Sequence, residues 1–221
     1  MKDILTAESQ YNSALTVEDI TKPVDIDLRN YRLITYSHPD DICEDRDIHL
    51  CNQSRFYPFH LLGHDWKSVE YLYLCGEWSW QGISSEGFDS VAIQEDILKA
   101  RSGYQAHTYT KQKHRKKIRK DFQEFRDQWM LWCVWNKCKA SSDFRNHLLS
   151  IPEDRIIVEV VKHDPIWAVC PDKEGRFIGN NGMGKILTIC RNCLKDNTEP
   201  DINTDLLNRS EIYILGEKIQ F

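Results

Sequence analysis

The stretch Trp66-Lys67-Ser68-Val69-Glu70-Tyr71 predicts a helix start that carries a carboxylate. Ser68 is a typical N-cap residue, because its hydroxyl can accept a hydrogen bond from a backbone N–H of the first turn. Glu70 then lies two residues inside the helix, where the positive end of the helix dipole favours an ionised carboxylate. Such a group can bind sugar hydroxyls, orient water or face a developing cation. It could equally be an ordinary first-turn acid that only complements the dipole.

The composition indicates a folded protein. Hydrophobic residues make up 41% of the 221 positions, and there are seven Trp, eight Phe and nine Tyr. No run of eighteen apolar residues and no basic-then-apolar leader is present, so we expect a soluble, cytoplasmic protein with no membrane partner. The length suits one domain with elaborations. We place that domain at residues 31–195, with an N-terminal extension over 1–30 and a C-terminal extension over 196–221.

The eight cysteines are predicted to be reduced thiols, many of them in the core, since no secretory pattern accompanies them. Cys190 and Cys193 have the spacing of half a zinc knuckle. A structural zinc site requires four ligands, and no second close pair follows. We therefore predict no metal site and no cofactor.

Charge is segregated along the chain. The net charge of −5 gives no global signature of nucleic-acid binding, yet residues 111–120 hold seven Lys or Arg and no acid. Such a block attracts phosphates of DNA, RNA or a dinucleotide-like ligand. It could equally be the solvated face of a helix, and both interpretations stay open at this point.

The apolar patterns predict a mostly helical protein with a small sheet. Aromatic residues spaced by three to four positions indicate one amphipathic helix from about residue 111 to 140. Residues 156–161 are β-branched and form the clearest strand, and residues 31–36 and 212–221 are also strand-like. A glycine-rich loop over 179–184 leads into a helix that starts at Lys185. We therefore predict an α+β fold in a single domain.

Three loops are expected to converge on a site: the Glu70 helix start, the turn carrying Asp164 and Trp167, and the glycine-rich loop. Backbone N–H groups that follow glycines at a helix N-terminus suit phosphate binding. The glycine spacing fits neither the P-loop nor the dinucleotide-binding pattern. Taken singly, Asp164 could be a turn-forming residue and Trp167 a core residue.

The order and spacing of these elements resemble the NADAR family (NAD- and ADP-ribose-associated), to which riboflavin-intermediate N-glycosidases also belong. The resemblance covers about residues 31–195, and Asn52 is the match to a family asparagine. Tyr71 stands where the family has His, His107 where it has Lys, and Cys138 where it has an aromatic residue, which indicates a divergent member. The other matching residues are Gly63, Trp66, Ser68-Val69-Glu70, Arg119, Asp121, Met130, Lys137, Val158-Glu159, Asp164, Trp167, Gly179, Asn181, Gly184, Lys185 and Leu187.

The resemblance implies a NADAR-like fold and hydrolysis of an N-glycosidic bond at a ribose C1′. Glu70 would bind the ribose hydroxyls or activate water, Asp164 would support the water or the positive charge, and Trp167 would stack on the base or the sugar. These three are the predicted catalytic residues. The predicted substrate-binding residues are Asn52, Trp66, His107, Arg119, Lys137, Gly179, Asn181 and Lys185.

The preferred hypothesis is removal of ADP-ribose from guanine in DNA, which would counter an ADP-ribosyltransferase toxin. The basic run over 111–120 motivates it, because a nucleic-acid substrate requires phosphate contacts. One alternative is an N-glycosidase of phosphorylated riboflavin-biosynthesis intermediates. The other is a non-catalytic ADP-ribose-binding module, which the replacement by Tyr71 makes plausible.

Overall fold

The computed structural model describes residues 15–27, 33–36, 47–153, 155–174 and 176–221. The chain forms two compact units, and each is made of two stretches of sequence. The first unit comprises Met1–Cys51 and Ser142–Asp201, and the second comprises Asn52–Ser141 and Ile202–Phe221. Both units combine helices with short strands, which confirms the predicted α+β class.

Short strands and helices follow one another in runs along the described residues. The strands are β1 (Val24–Asp27), β2 (Leu33–Tyr36), β3 (Phe59–Leu61), β4 (His64–Trp66), β5 (Ile156–Glu159), β6 (Val169–Pro171), β7 (Arg176–Gly179), β8 (Tyr213–Ile214) and β9 (Glu217–Lys218). The helices are α1 (Val69–Gly76), α2 (Ser90–Lys99), α3 (Gly103–Gln105), α4 (Lys111–His114), α5 (Phe122–Ala140), α6 (Ser142–Ser150), α7 (Gly182–Asp196) and α8 (Thr204–Arg209). Turns of 3-10 helix lie at Val17–Thr21, Ile48–Leu50 and Arg115–Lys117, and a π-helical turn at Ala106–Thr110 joins α3 to α4.

In the part of the first unit that the structure describes, the strands form two small sheets. β7 lies between β1 and β6 in an antiparallel sheet, and β2 pairs with β5 in parallel. β2 confirms the described part of the strand predicted over 31–36, whereas residues 31 and 32 lie outside the described residues. Helix α7 packs on β5, and α6 packs on α7. The core is formed by Val24, Ile26, Ile156, Val158, Val160, Val169 and Phe177.

The glycine-rich segment is helical earlier than predicted. Helix α7 begins at Gly182 instead of Lys185, after Asn181 in the left-handed conformation with φ = 50°. A Cβ at Gly184 would lie 2.1 Å from the carbonyl oxygen of Ile157, so glycine is what allows the helix start to contact β5 directly. Close packing on the sheet thus outweighs the low intrinsic helix propensity of glycine.

The second unit is organised around α1, which packs against α2 and α5. A Cβ at Gly76 would lie 2.2 Å from Nε1 of Trp129, so the absence of a side chain lets α1 and α5 approach closely. The Trp129 indole also donates a hydrogen bond to the carbonyl of Tyr73, at 3.1 Å. The aromatic stripe of α5 is therefore core, as predicted from its spacing.

The single helix predicted over 111–140 is wrong, because two helices separated by a break occupy this region. Helix α4 ends at His114, and α5 begins at Phe122. Between them Ile118 is extended, with ψ = 135°, and the backbone N–H of Arg119 donates to the carbonyl of Glu77 at 3.0 Å. A tertiary hydrogen bond to α1 therefore replaces the continuing helix.

The C-terminal segment belongs to the second unit. The strand-like region predicted over 212–221 contains only two short strands, β8 and β9, each of two residues. Helix α8 precedes them. The side chain of Gln94 holds this segment, since Nε2 donates to the carbonyl of Tyr213 at 2.9 Å and Oε1 accepts from the N–H of Leu215 at 2.6 Å. The boundaries predicted at residues 30 and 195 stay predictions. Within the described residues no helix is both long and apolar enough to cross a membrane.

Candidate active site

Glu70 lies buried in the first turn of α1, and both of its carboxylate oxygens are held. Oε2 accepts a hydrogen bond from Nδ2 of Asn52 at 3.1 Å, and Oε1 lies 2.8 Å from Nδ1 of His107. These two residues are distant in sequence from Glu70, one on each side. The fold thus fixes this carboxylate by an amide and an imidazole, and three of the predicted site residues come together.

The predicted capping of α1 by the Ser68 side chain is wrong. Ser68 is the N-cap residue, but its buried hydroxyl makes no capping bond and has no hydrogen-bond partner among the described residues. The N–H of Glu70 donates instead to the backbone carbonyl of Asn52, at 3.1 Å. Asn52 therefore holds Glu70 twice, once through the backbone and once through its side chain.

The amide oxygen of Asn52 is left without a partner. The residue is 7% exposed, and its Nδ2 lies near Sδ of Met130, at 3.6 Å, as well as near Glu70. Oδ1 is buried and has no hydrogen-bond partner among the described residues. A buried unpaired acceptor costs about 1–3 kcal/mol. A hydroxyl or N–H donor of a ligand would satisfy it beside the Glu70 carboxylate.

His107 connects Glu70 to the solvent. It lies on the π-helical turn, and its side chain is about half-exposed. Single π-helical turns are frequent at functional sites. The hydrogen bond to Glu70 raises the pKa of His107, whereas burial and the nearby Lys111 ammonium lower it. The pair therefore favours an imidazolium beside a carboxylate.

A second ion pair joins the same two helical segments. Lys111 Nζ lies 2.6 Å from Oε1 of Glu77, whose side chain is almost fully buried. Burial raises the pKa of Glu77, although the Lys111 ammonium lowers it. The sequence did not indicate this pair as part of the site. The sequence did contain a hint in its spacing. Glu77 follows Glu70 by seven residues and Lys111 follows His107 by four, so the two acids share one helix face and the two bases share another.

The remaining predicted residues of the second unit make contacts within the protein. The indole of Trp66 is buried and donates to the carbonyl of Leu61 at 2.9 Å. Arg119 binds Asp121 through two nitrogens and also donates to the carbonyl of Ser210. Lys137 is buried, with Nζ 5.9 Å from the ring centre of Tyr57. Their substrate-binding roles stay predictions.

In the first unit Asp164 and Trp167 form one turn. Oδ1 of Asp164 accepts from the backbone N–H groups of Ile166, at 3.1 Å, and Trp167, at 3.0 Å. The half-buried Trp167 ring lies against Gly182, where a Cβ would be 3.0 Å from its Cε3 atom. Asp164 thus has the contacts of a turn-forming residue, and its catalytic role stays a prediction, as does that of Trp167.

Asn181 and Lys185 are anchored by buried polar contacts. The Asn181 amide donates to the carbonyl of Ile157 and accepts from the N–H of Glu159, both at 3.0 Å. Lys185 is buried, and its ammonium donates to the backbone carbonyls of Asp19 and Lys22. Burial lowers the pKa of Lys185 to about 7. Phosphate binding by Gly179, Asn181 and Lys185 is not tested by these contacts and stays a prediction.

The thiols and carboxylates of the described residues form no metal centre. No three or more His, Cys, Asp or Glu side chains there are placed to hold a metal ion, and the cysteines in that part of the chain are free thiols. Cys43 lies outside the described residues.

An α+β protein with a carboxylate fixed between an amide and an imidazole is equipped to bind hydroxyl groups and to face positive charge. The chain belongs to the NADAR family, because the model of the NADAR domain matches residues 44–195, more than half of its length. This family membership confirms the resemblance and supports an N-glycosidase-type hydrolase function.

One solved structure supports the fold. The structure is similar to the NMR structure of the E. coli protein YbiA, with a TM-score of 0.51 and 18% sequence identity over 75% of this chain and 88% of that chain. At this identity the likeness establishes the fold alone. A comparison with curated protein sequences gives no match.

Proposed function

We propose that this protein hydrolyses the N-glycosidic bond between ADP-ribose and guanine in DNA, and that Glu70 contacts the ribose of the substrate. The observation that carries the proposal is the Glu70 carboxylate, which is held by Asn52 and His107 beside the unpaired Oδ1 of Asn52. A site that is already ordered before the substrate arrives loses little entropy on binding.

In this reaction the bond between C1′ and the base nitrogen breaks, and its electron pair stays on the base. Positive charge develops on C1′ and the ring oxygen in an oxocarbenium-like state. A water oxygen then bonds to C1′ and releases a proton, while the base nitrogen takes one up. A nearby carboxylate stabilises the positive charge and can orient either the water or the neighbouring hydroxyl groups.

The contacts of Glu70 suit this role. Each carboxylate oxygen has about two acceptor positions and uses one of them on His107 or Asn52, so a hydroxyl or water can occupy the other. The unpaired Oδ1 of Asn52 accepts a second hydroxyl hydrogen. A ribose offers two adjacent hydroxyl donors, which matches these two acceptors. The roles predicted for Asp164 and Trp167 are proposals that alanine variants test separately.

DNA is proposed as the substrate because cations lie close in sequence to His107. Three of the seven basic residues over 111–120 are bound to carboxylates at 2.6 Å: Lys111 to Glu77, Lys113 to Asp96 and Arg119 to Asp121. Arg115 and Lys116 are exposed, with no acidic partner among the described residues, so they remain available for phosphates. An ADP-ribosyltransferase toxin as counterpart and a cytoplasmic location follow as proposals from this substrate.

The test uses two substrates in parallel. One is an oligonucleotide carrying ADP-ribosylated guanine, and the other is a ribosylaminopyrimidine phosphate of the riboflavin pathway. Chromatography follows the release of ADP-ribose or of the pyrimidine. Glu70→Gln is compared with Glu124→Gln, because Glu124 is also a first-turn glutamate, on α5, but is exposed.

The expected result is release of ADP-ribose from DNA by the wild-type protein and by Glu124→Gln, with loss of release in Glu70→Gln. Cleavage of the small molecule alone would overturn the DNA assignment and favour the riboflavin-pathway reaction. Binding of ADP-ribose without turnover of either substrate would show a binding module instead.

A further inference from the structure

Two exposed aromatic residues and two arginines border the segments that hold Glu70. Arg55 and Phe56 follow Asn52 along the chain, and Arg101 and Tyr104 precede His107. These four residues are called the aromatic–arginine rim. Since Asn52 and His107 both bind the Glu70 carboxylate, the rim lies on the two segments that supply its partners.

The two segments of the rim contact each other. Nη1 of Arg55 donates to the carbonyl of Arg101 at 2.6 Å. Gly103 lies against the backbone of Gln53, where a Cβ would be 2.8 Å from Cα of that residue. The two segments therefore contact each other, and each continues along the chain to a residue that binds the Glu70 carboxylate.

The rim segment over residues 101–105 is held by hydrogen bonds within itself. The Ser102 hydroxyl accepts from the N–H of Gln105 at 3.1 Å, and the Gln105 side chain accepts from the N–H of Arg101 at 2.7 Å. A preformed surface is better suited to ligand binding than a mobile loop, because less conformational entropy is lost.

The aromatic rings of the rim face the solvent. Phe56 is 61% exposed and Tyr104 is 53% exposed, which is high for side chains of this size. Phe56 also contacts Tyr57 edge to face, with ring centres 4.9 Å apart. Exposed aromatic rings beside cations are the surface on which proteins stack nucleobases.

The charge of the rim complements an anion. Both arginine side chains are exposed, and neither is paired with a carboxylate among the described residues. This differs from the basic run over 111–120, where four of the seven cations form ion pairs with acids. Two guanidinium groups without acidic partners on neighbouring segments repel each other less when a phosphate lies between them.

We infer that the aromatic–arginine rim binds the DNA strand, with Phe56 and Tyr104 stacking on nucleobases and Arg55 and Arg101 contacting the adjoining phosphates. This inference rests on the proposed function and specifies which surface recognises the nucleic-acid part of the substrate. A base that undergoes chemistry must leave the duplex or lie in a single strand, so its unstacked face needs a new partner. The rim supplies one on the two segments whose Asn52 and His107 bind the Glu70 carboxylate.

The first experiment measures binding of an unmodified, guanine-containing single-stranded oligonucleotide by fluorescence anisotropy. Base–aromatic stacking predicts that Phe56→Ala and Tyr104→Ala each weaken binding by about 5- to 150-fold. Phe56→Trp should retain binding because it keeps an aromatic face. Ile83→Ala is the control, since Ile83 is an exposed apolar residue that lies outside the rim.

The second experiment measures the salt dependence of the same binding. Each lost phosphate contact should reduce the slope of log K against log salt by about 0.7 for a single strand. We expect this reduction for Arg55→Gln and for Arg101→Gln. Arg209→Gln, at an exposed arginine on α8, should leave the slope unchanged.

The third experiment distinguishes binding of the DNA strand from binding of the ADP-ribose group. Binding of free ADP-ribose should be unchanged in Phe56→Ala and Tyr104→Ala, because the rim is assigned to DNA. Weaker ADP-ribose binding with unchanged oligonucleotide binding would overturn the assignment, as would unchanged binding of both or a wild-type protein that does not bind the oligonucleotide. None of these measurements needs turnover, so failure of the proposed hydrolysis is recognised separately.

Discussion

The pairs formed by Lys111 and Lys113 provide a matched experiment on burial. Both ammonium groups lie 2.6 Å from a carboxylate, but the Lys111 and Glu77 side chains are 29% and 2% exposed, whereas those of Lys113 and Asp96 are 64% and 32% exposed. Lys111→Met keeps most of the aliphatic side chain and removes the charge. It leaves Glu77 buried, with Oε2 already lacking a hydrogen-bond partner among the described residues.

The expected loss of stability follows from that burial. Removing one partner of a buried ion pair costs about 3–5 kcal/mol, and the partial exposure of Lys111 favours the lower end, about 3 kcal/mol at pH 7. The exposed pair of Lys113 contributes about 0–1 kcal/mol, so Lys113→Met should have little effect. The difference between the two variants isolates the cost of burying the unpaired Glu77 carboxylate.

The loss of stability in Lys111→Met should depend on pH in a definite direction. Burial raises the pKa of Glu77 above its ordinary value of 4.5, so the folded state binds the proton up to a higher pH than the unfolded chain. Stability contributed by Glu77 therefore falls as the pH rises from 4.5 through the folded-state pKa. Lys111→Met removes the group that lowers this pKa, and each further pKa unit adds about 1.4 kcal/mol to the fall. The deficit of the variant should be larger at pH 7 than at pH 5.

Urea denaturation followed by tryptophan fluorescence at pH 5 and pH 7 measures these free energies of unfolding. The double variant Glu77→Gln with Lys111→Met should recover part of the loss, because it removes the buried charge. Equal losses for Lys111→Met and Lys113→Met, or a Lys111→Met deficit that is the same at both pH values, would refute the reasoning.

Three further predictions follow from buried or paired groups. Asn181→Ala removes two buried hydrogen bonds to the backbone of β5 and should cost about 2–4 kcal/mol in urea denaturation, whereas Asn197→Ala, at an exposed residue that is also left-handed, should cost clearly less. Burial lowers the pKa of Lys185 to about 7, so the folded state binds fewer protons than the unfolded chain above that pH. Stability should rise between pH 7 and 10, and a Lys185→Met protein that keeps the rise would contradict this assignment. The hydrogen bond to Glu70 raises the pKa of His107. The imidazolium is lost as the pH rises through that raised pKa, so the cleavage rate should fall there. His107→Lys should move the fall to higher pH, and an unchanged profile would show that His107 does not control it.

Local sequence patterns predicted the structure correctly where the conformation of a segment depends mainly on its own residues. The aromatic face of α5 and the strand β5 were predicted, because three-to-four spacing and β-branched runs report local preference. The position of the helix start before Glu70 was also predicted, although the side-chain cap expected from Ser68 is absent. The α+β class followed from these elements, and the family resemblance followed from their order. Asn52 and His107 were identified through that resemblance.

Long-range contacts account for what the sequence did not reveal. The capping of α1 by the Asn52 carbonyl joins residues 18 positions apart, and no local motif encodes it. The break before α5 depends on the hydrogen bond from Arg119 to Glu77, and the early start of α7 depends on the contact of Gly184 with β5. In each case a partner from another element decides the local conformation, and a single-sequence pattern contains no information about that partner.

The π-helical turn at Ala106–Thr110 has a consequence for the comparison of relatives. Such a turn contains one more residue than an α-helical turn, so deleting a single residue there would close it to an α-helical turn and shift the side chains within it, that of His107 included. A gap of one position in this region would therefore separate relatives that keep a side chain pointing at the α1 carboxylate from those that do not. Insertions and deletions at this point carry more meaning than substitutions.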